Sequence, residues 1–308
     1  MVTIPKTHLE VHPLCLGANV FGWSASESES FAVLDAYVEA GGNFIDTADV
    51  YSEWKDGNTG GESESIIGKW MKARGNRHSM VIATKVAKLS TRPGLSRSNI
   101  NSALEDSLLR LQTDHIDLYY SHEDDDKTPL TETLSAYTDL ISAGKISYVG
   151  ASNYSGARLL EASQISQQNS LAEYVLLQME YNLMTRQPFE QGQEGAVIAL
   201  GLSALPFYGL ARGFLSGKYR PGLKVESVRA EGTMGYQTPA GWKIIATVDQ
   251  IAKNHNCSMS AIALAWLRAN DAVSTPIASA RTVEQVQEIM QVVTLSGEEI
   301  AELNVISG

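Results

Sequence analysis

The chain has 308 residues, 44% of them hydrophobic and 19% charged, and a formal net charge of −11 at pH 7. That charge, with no long basic run, excludes a nucleic-acid backbone or an anionic membrane as partner, since both need clustered Lys and Arg, and leaves a small molecule as the expected partner. Cys15 and Cys257 are far apart with no C-x-x-C spacing, so neither a disulfide framework nor a zinc site is expected. Residues 1–10 lack an apolar core of signal-peptide length and no stretch reaches about 18 uninterrupted apolar residues, which makes a cytoplasmic location the default expectation.

From the N-terminus, residues 9–17 form a short strand-like run broken by Pro13, followed by the turn Gly17-Ala18-Asn19. Residues 28–40 carry Phe31, Leu34 and Val38, with Ala32 and Ala36 on the neighbouring row, which predicts a helix buried on that face. Residues 43–47 read as a strand, and 62–73 as a helix with Ile66, Ile67, Trp70 and Met71 on one stripe. After a strand over 80–86, Ser96 opens a helix whose stripe is Ile100, Leu104, Leu108 and Leu111, with serine hydroxyls available to cap its free amides. The alternation continues with strand 116–120, helix 130–143 ended by Gly144, strand 146–151, helix 155–168, strand 174–179, helix 189–200 stopped by Gly201, and strand 202–207. A long glycine-rich insertion runs from about 209 to 241, before helices over 242–254 and 258–269, a strand over 273–277 and a helix over 282–292.

Eight strands, each followed by a helix with no linker between halves, predict a single-domain (β/α)8 TIM barrel over residues 1–308. An open doubly wound sheet would carry a Gly-x-Gly-x-x-Gly turn after an early strand, and none is present. Residues 213–218 end in Gly-Lys, but Arg212 and Tyr219 occupy the positions where a phosphate loop needs Gly and Ser or Thr.

In a closed barrel the reacting groups come from the carboxyl ends of several strands. Here strand two ends at Asp46, with Tyr51 in the loop beyond it, strand three at Lys85, and strand four at Ser121-His122. Alternation along 80–85 puts Lys85 on the face of Val81 and Ala83, towards the barrel interior, with Met80 and Ile82 towards the helices. The acidic run of residues 123–126 lacks the ligand spacing of a calcium loop and reads as a solvated loop, and no metal is expected.

These residues resemble the aldo-keto reductases, in the branch similar to potassium-channel β subunits, over nearly the whole chain. The segments that carry the likeness are Gly42-Asn43-Phe44-Ile45-Asp46-Thr47-Ala48 through Tyr51, Gly61-Glu62-Ser63-Glu64, Ala83-Thr84-Lys85, His122 before Thr128-Pro129, Gly150-Ala151-Ser152-Asn153, Gln178 and residues 213–219. The resemblance implies a catalytic tetrad of Asp46, Tyr51, Lys85 and His122, and reduction of an aldehyde or ketone. Carbonyl reduction needs a hydride that no side chain supplies, hence a nicotinamide, and a proton for the oxygen. Tyr51 is the implied proton donor, with Lys85 stabilising the phenolate and drawing proton transfer towards neutrality, Asp46 orienting Lys85, and His122 holding the carbonyl.

The resemblance also implies the cofactor seat. Ser152, Asn153 and Gln178 surround the carboxamide, Phe207 stacks on the nicotinamide, and Tyr208, Gly209, Leu210, Arg212, Gly213 and Lys218 hold the pyrophosphate under the loop at about 209–241. Gly17, Ala18 and Asn19 join the seat from the first strand, while Ser279, Arg281, Gln285 and Glu288 surround the adenosine. A grip of Arg281 on a 2′-phosphate favours NADPH, with NADH the alternative. Trp23, Trp54 and Glu123 are the expected walls of the substrate pocket. Departures from the family pattern are Tyr208-Gly209-Leu210 where Ser-Pro-Leu is common, Ser279 in place of glycine and Ile289 in place of asparagine. The alternative function is that of a cofactor-binding redox sensor or regulatory subunit with little turnover; the oligomeric state stays open.

Overall fold

The computed structural model describes residues 1–226 and 230–308. A hairpin of β1 (Val2–Thr3) and β2 (Glu10–Val11) comes first. The staves of the barrel are β3 (Cys15–Gly17), β4 (Phe44–Asp46), β5 (Val81–Val86), β6 (Ile116–Ser121), β7 (Ile146–Ser152), β8 (Tyr174–Glu180), β9 (Ser203–Phe207) and β10 (Ile277–Ala278). They run parallel in the order β10-β3-β4-β5-β6-β7-β8-β9. An isolated parallel bridge between Ala204 and Val273 draws the two ends of that order together. The result is a nearly closed (β/α)8 barrel, in agreement with the strand and helix rhythm of the sequence.

Outside it lie α1 (Glu27–Glu39), α2 (Glu62–Arg74), α3 (Arg97–Leu111), α4 (Leu130–Ser142) and α5 (Gly156–Asn169). Two short helices, α6 (Gln187–Gly192) and α7 (Glu194–Ala199), separate β8 from β9, and α8 (Pro239–Asn254) and α9 (Met259–Arg268) separate β9 from β10. The chain closes with α10 (Val283–Ile289) and α11 (Gly297–Ser307).

The staves alternate as a closed barrel requires. Val81 and Ala83 belong to an inner cluster with Phe44, Leu118, Tyr120, Leu176 and Leu205, whereas Ile82 packs with the outer core beneath the helices. Ile4 and Val11 of the N-terminal hairpin also join the inner cluster. The Tyr120 ring crosses the interior so closely that a Cβ on Gly150 would lie 2.5 Å from its Cε1, which is why β7 carries glycine there. The stripes of α2 and α3 are buried as expected, and Ser96 caps α3 by accepting from the Asn99 amide.

Several elements differ from expectation, among them α11, a helix not expected from the sequence. The buried face of α1 is Ser30, Val33, Leu34 and Tyr37, with Phe31 and Val38 only partly covered. Tyr37 is drawn inward because its hydroxyl reaches the carbonyls of Leu14 (2.7 Å) and Phe44 (3.0 Å), and Phe31 instead underlies the Arg74 guanidinium. The single helix over 189–200 is two helices, split at Gln193, whose φ of −131° leaves the helical range. The strand over 273–277 shrinks to Ile277–Ala278, for the chain reaches β9 only at Val273 and then crosses to β3, where the Cys15 amide donates to the Pro276 carbonyl. The insertion at 209–241 contains short 3-10 turns over Ala211–Ser216 and Glu231–Tyr236; residues 227–229 of it lie outside the described residues.

Candidate active site

Three neighbouring staves deliver Asp46, Lys85 and His122 to one end of the barrel because their registers align. Asp46 pairs with Ala83, and Lys85 with Tyr120, two residues before His122. Tyr51 reaches the same point from the loop after β4, where its amide donates to Ala48 (3.2 Å) and Ser52 is anchored to the Phe21 carbonyl (2.6 Å).

Lys85 is fully buried, and its Nζ donates to Asp46 Oδ2 (2.6 Å), the Thr47 carbonyl (2.7 Å) and the Tyr51 hydroxyl (2.9 Å). The Tyr51 hydroxyl lies 3.3 Å from Asp46 Oδ2, a long contact. The His122 ring stands edge-on to Tyr51 at 5.9 Å, and its buried Nδ1 finds no hydrogen-bond partner among the described residues. The expected tetrad is therefore one contiguous cluster.

Its electrostatics are set first by burial. Exclusion of water pushes the Tyr51 phenol well above its ordinary value, with the Asp46 carboxylate adding to the shift, so Tyr51 keeps its proton. Burial also lowers Lys85, against the pull of Asp46. It holds His122 well below the usual imidazole value, assisted by Lys85 and Lys88, so the ring is neutral at pH 7.

A cleft of about 780 Å³ opens over this cluster and runs along the barrel mouth. Ser152, Asn153, Gln178 and Phe207 line one part of it, and Tyr208, Gly209, Leu210, Arg212, Gly213 and Lys218 the next. Asn153, at a φ of 59°, spends its amide on the His122 carbonyl and Ser152 Oγ (both 3.0 Å), joining the ends of β6 and β7. Tyr208, Ala211, Arg212 and Gly213 all have positive φ, and this tight turn brings Tyr208, Arg212 and Gly213 to the cleft while Ala211 is buried. Gly17, Asn19, Ser279, Arg281, Gln285 and Glu288 also line the cleft, Gly17 as the register partner of Asp46. Ser279 Oγ donates to Asn19 Oδ1 (2.8 Å), and a Cβ on Gly17 would collide with Ser279 Oγ and Ile277 at 2.9 Å. Ala18 does not line the cleft; fully buried, it ties Asp46 and Ser63 together through its backbone.

Trp54 contacts Trp23 edge-on at 5.8 Å and Tyr51 at 6.0 Å. With Tyr208, Arg212, Glu231 and Gly232 the two indoles line a second hollow of about 500 Å³, next to the first. Glu123 lines neither; it pairs instead with Lys88 (3.2 Å), whose side chain does line the cleft. Nor is the acidic run simply solvated. Asp125 accepts from the Leu95 amide (2.8 Å) and Thr128 (2.7 Å), and Asp124 pairs with Arg158.

Sequence reasoning missed Lys88, Glu180 and Ser260 in the cleft wall. Glu180 was within reach of it, being two residues after Gln178 on the same face of β8. Ser260, in the first turn of α9, offered no such signal; its buried Oγ faces no partner among the described residues. Among the described residues no three His, Cys, Asp or Glu side chains are grouped to hold a metal, and no helix is long and apolar enough to cross a membrane.

The family model described as "Aldo/keto reductase family" matches residues 13–307. The chain belongs to the aldo/keto reductase family. It is 34% identical over 300 residues to "Uncharacterized oxidoreductase YrpG" of Bacillus subtilis (strain 168), covering 94% of this chain and 90% of that protein. It is 33% identical over 312 residues to "Protein tas" of Escherichia coli (strain K12), covering 92% and 90%. As an aldo/keto reductase it is an oxidoreductase, in a family whose chemistry is carbonyl oxidoreduction with nicotinamide cofactors.

Proposed function

We propose that this chain, acting as one domain, reduces an aldehyde or ketone to the alcohol with NADPH as hydride donor and Tyr51 as general acid. The observation that carries the reading is the Lys85 ammonium, without solvent exposure, set between Asp46 Oδ2 and the Tyr51 hydroxyl. A lysine so buried needs a reason, and a phenol that must become a phenolate supplies one.

The residues fit a nicotinamide dinucleotide. The cleft is of cofactor size, the unpartnered Ser260 Oγ lies in its wall, and the amides of Asn153 and Gln178 stand near the tetrad. When bound, the nicotinamide supplies the hydride for the carbonyl carbon. Neutral His122 donates a hydrogen bond to the carbonyl oxygen and fixes its approach. As negative charge develops there, Tyr51 releases its proton to that oxygen, and Lys85, oriented by Asp46, steadies the phenolate left behind. Tyr208, Arg212 and Gly213 of the loop would help hold the cofactor, and Trp23 and Trp54 would take the organic part of the substrate.

Arg281 is the residue proposed to grip the 2′-phosphate, its backbone amide held by Gln285 Oε1 at 2.9 Å. Glu288 lines the same end and would oppose that charge, so the preference is a measurable balance. The test is the rate of NADPH and NADH oxidation with a reactive aromatic aldehyde. NADPH is expected to be the better donor, and Arg281→Leu is expected to weaken NADPH binding by about tenfold, one charge-assisted hydrogen-bonding group's worth, while sparing NADH. Tight NADPH binding without turnover would instead indicate a redox sensor. Equal use of both nucleotides, unchanged in the variant, would remove Arg281 from the assignment.

A further inference from the structure

Asp46 has two oxygens, and they face different neighbours. Oδ2 receives Lys85 (2.6 Å) and, more distantly, Tyr51 (3.3 Å), while Oδ1 receives Gln178 Nε2 at 2.8 Å. Gln178 is itself only 2% exposed yet lines the cleft, and it is fixed through its backbone: its carbonyl accepts from the Asn153 amide (3.0 Å), and it pairs with Ser152 on one side and Leu205 on the other. A carboxylate can only accept, so the Gln178 amide must turn its N–H to Asp46, which points Oε1 away from it.

From this geometry we infer that Gln178 is a positioning residue that couples the nicotinamide seat to the acid–base couple: its hydrogen bond to Oδ1 holds Asp46 in the orientation that presents Oδ2 to Lys85 and Tyr51. The inference rests on the carbonyl-reducing reading of the site. Without that donor, Oδ1 is buried and unsatisfied, and the carboxylate gains by turning towards whichever donor remains. Lys85 and Tyr51 then lose their alignment, although the contacts that hold the rest of a dinucleotide are untouched. Gln178 should therefore govern turnover more than nucleotide affinity.

The charge on Asp46 provides a signature that a mere cofactor contact would lack. In Gln178→Glu the new side chain replaces the amide donor only while it holds a proton. Once ionised, it sets a second carboxylate against Asp46, which buried like charges do not tolerate. The experiment compares the wild type, Gln178→Leu and Gln178→Glu by NADPH affinity, by kcat with an aromatic aldehyde at saturating NADPH between pH 5 and 8, and by thermal midpoint over the same range. Gln178→Leu is expected to lower kcat by about 10- to 100-fold, the usual scale for a displaced catalytic group, with a much smaller change in affinity. Gln178→Glu should match that loss at pH 8 and recover towards pH 5, with a midpoint that falls, relative to wild type, as pH rises. Loss of affinity with kcat unchanged at saturation would overturn the inference, as would a Gln178→Glu midpoint that follows wild type at every pH. The midpoint needs no turnover, so a wild type that binds NADPH but reduces nothing would defeat the functional reading separately, and the pH trend of Gln178→Glu would still decide whether Gln178 and Asp46 are coupled.

Discussion

Tyr51→Phe is expected to lower kcat for aldehyde reduction by about 10²- to 10⁴-fold, the range that a positioned general acid contributes. The substitution removes one oxygen and keeps the ring that stands edge-on to both His122 and Trp54, so the cleft wall and nucleotide affinity should be nearly unchanged. Lys85 retains Asp46 and the Thr47 carbonyl as partners, which leaves no unpaired buried ammonium to disturb the fold. Steady-state rates and NADPH titrations of the two proteins side by side make the comparison. Equal turnover would remove Tyr51 from the reaction, and a parallel loss of nucleotide binding would reassign it to the cofactor seat.

The second large effect concerns stability. Asp49 is 1% exposed, and neither carboxyl oxygen has a hydrogen-bond partner among the described residues. Burial pushes its carboxyl up to about 7, with Glu64 adding to the shift and Arg110 and Arg92 opposing it. A folded value above the unfolded one means that the fold favours the protonated form. That contribution is complete below about pH 4, declines by about 1.4 kcal/mol per unit as pH rises towards 7, and is absent above it. Asp49→Asn cannot ionise and escapes the decline. Unfolding measured at pH 5 and pH 8 should show the variant gaining about 3 kcal/mol on the wild type between the two. A constant difference would mean that Asp49 is ionised throughout, with a counter-charge nearer than Arg110.

Of the residues behind these two predictions, Tyr51 could be read from the chain itself and Asp49 could not. Lys85 was legible because period-two alternation with Val81 and Ala83 fixes its face, and the stripes of α2 and α3 were legible because large apolar residues recur at helical spacing. The face of α1 was not. Tyr37 is buried by its hydroxyl's bonds to two carbonyls, and Ser30 by a bond to the Ser26 carbonyl (2.7 Å), neither of which hydrophobic periodicity registers. The break at Gln193 was legible in principle, for Gly192 ends α6 and Gly195 follows it, but the apolar residues on either side read as one helix. Asp49 and Ser260 reach the interior or the cleft through the turns that carry them, and as isolated polar residues they look like any surface position. Glu123 shows the reverse case: adjacency to His122 suggested a pocket wall, but Lys88 turns its carboxylate aside.

The two-residue β10 leaves the barrel with one thin stave, tied to β9 through the bridge at Val273 and flanked by the Ser279 and Arg281 end of the cleft. The barrel's hydrogen-bonded seam is thinnest there. On the proposed reading, a dinucleotide held there would stabilise the fold by about 2.7 kcal/mol at a hundredfold excess over Kd. On that reading the ligand would be a structural part as much as a reagent.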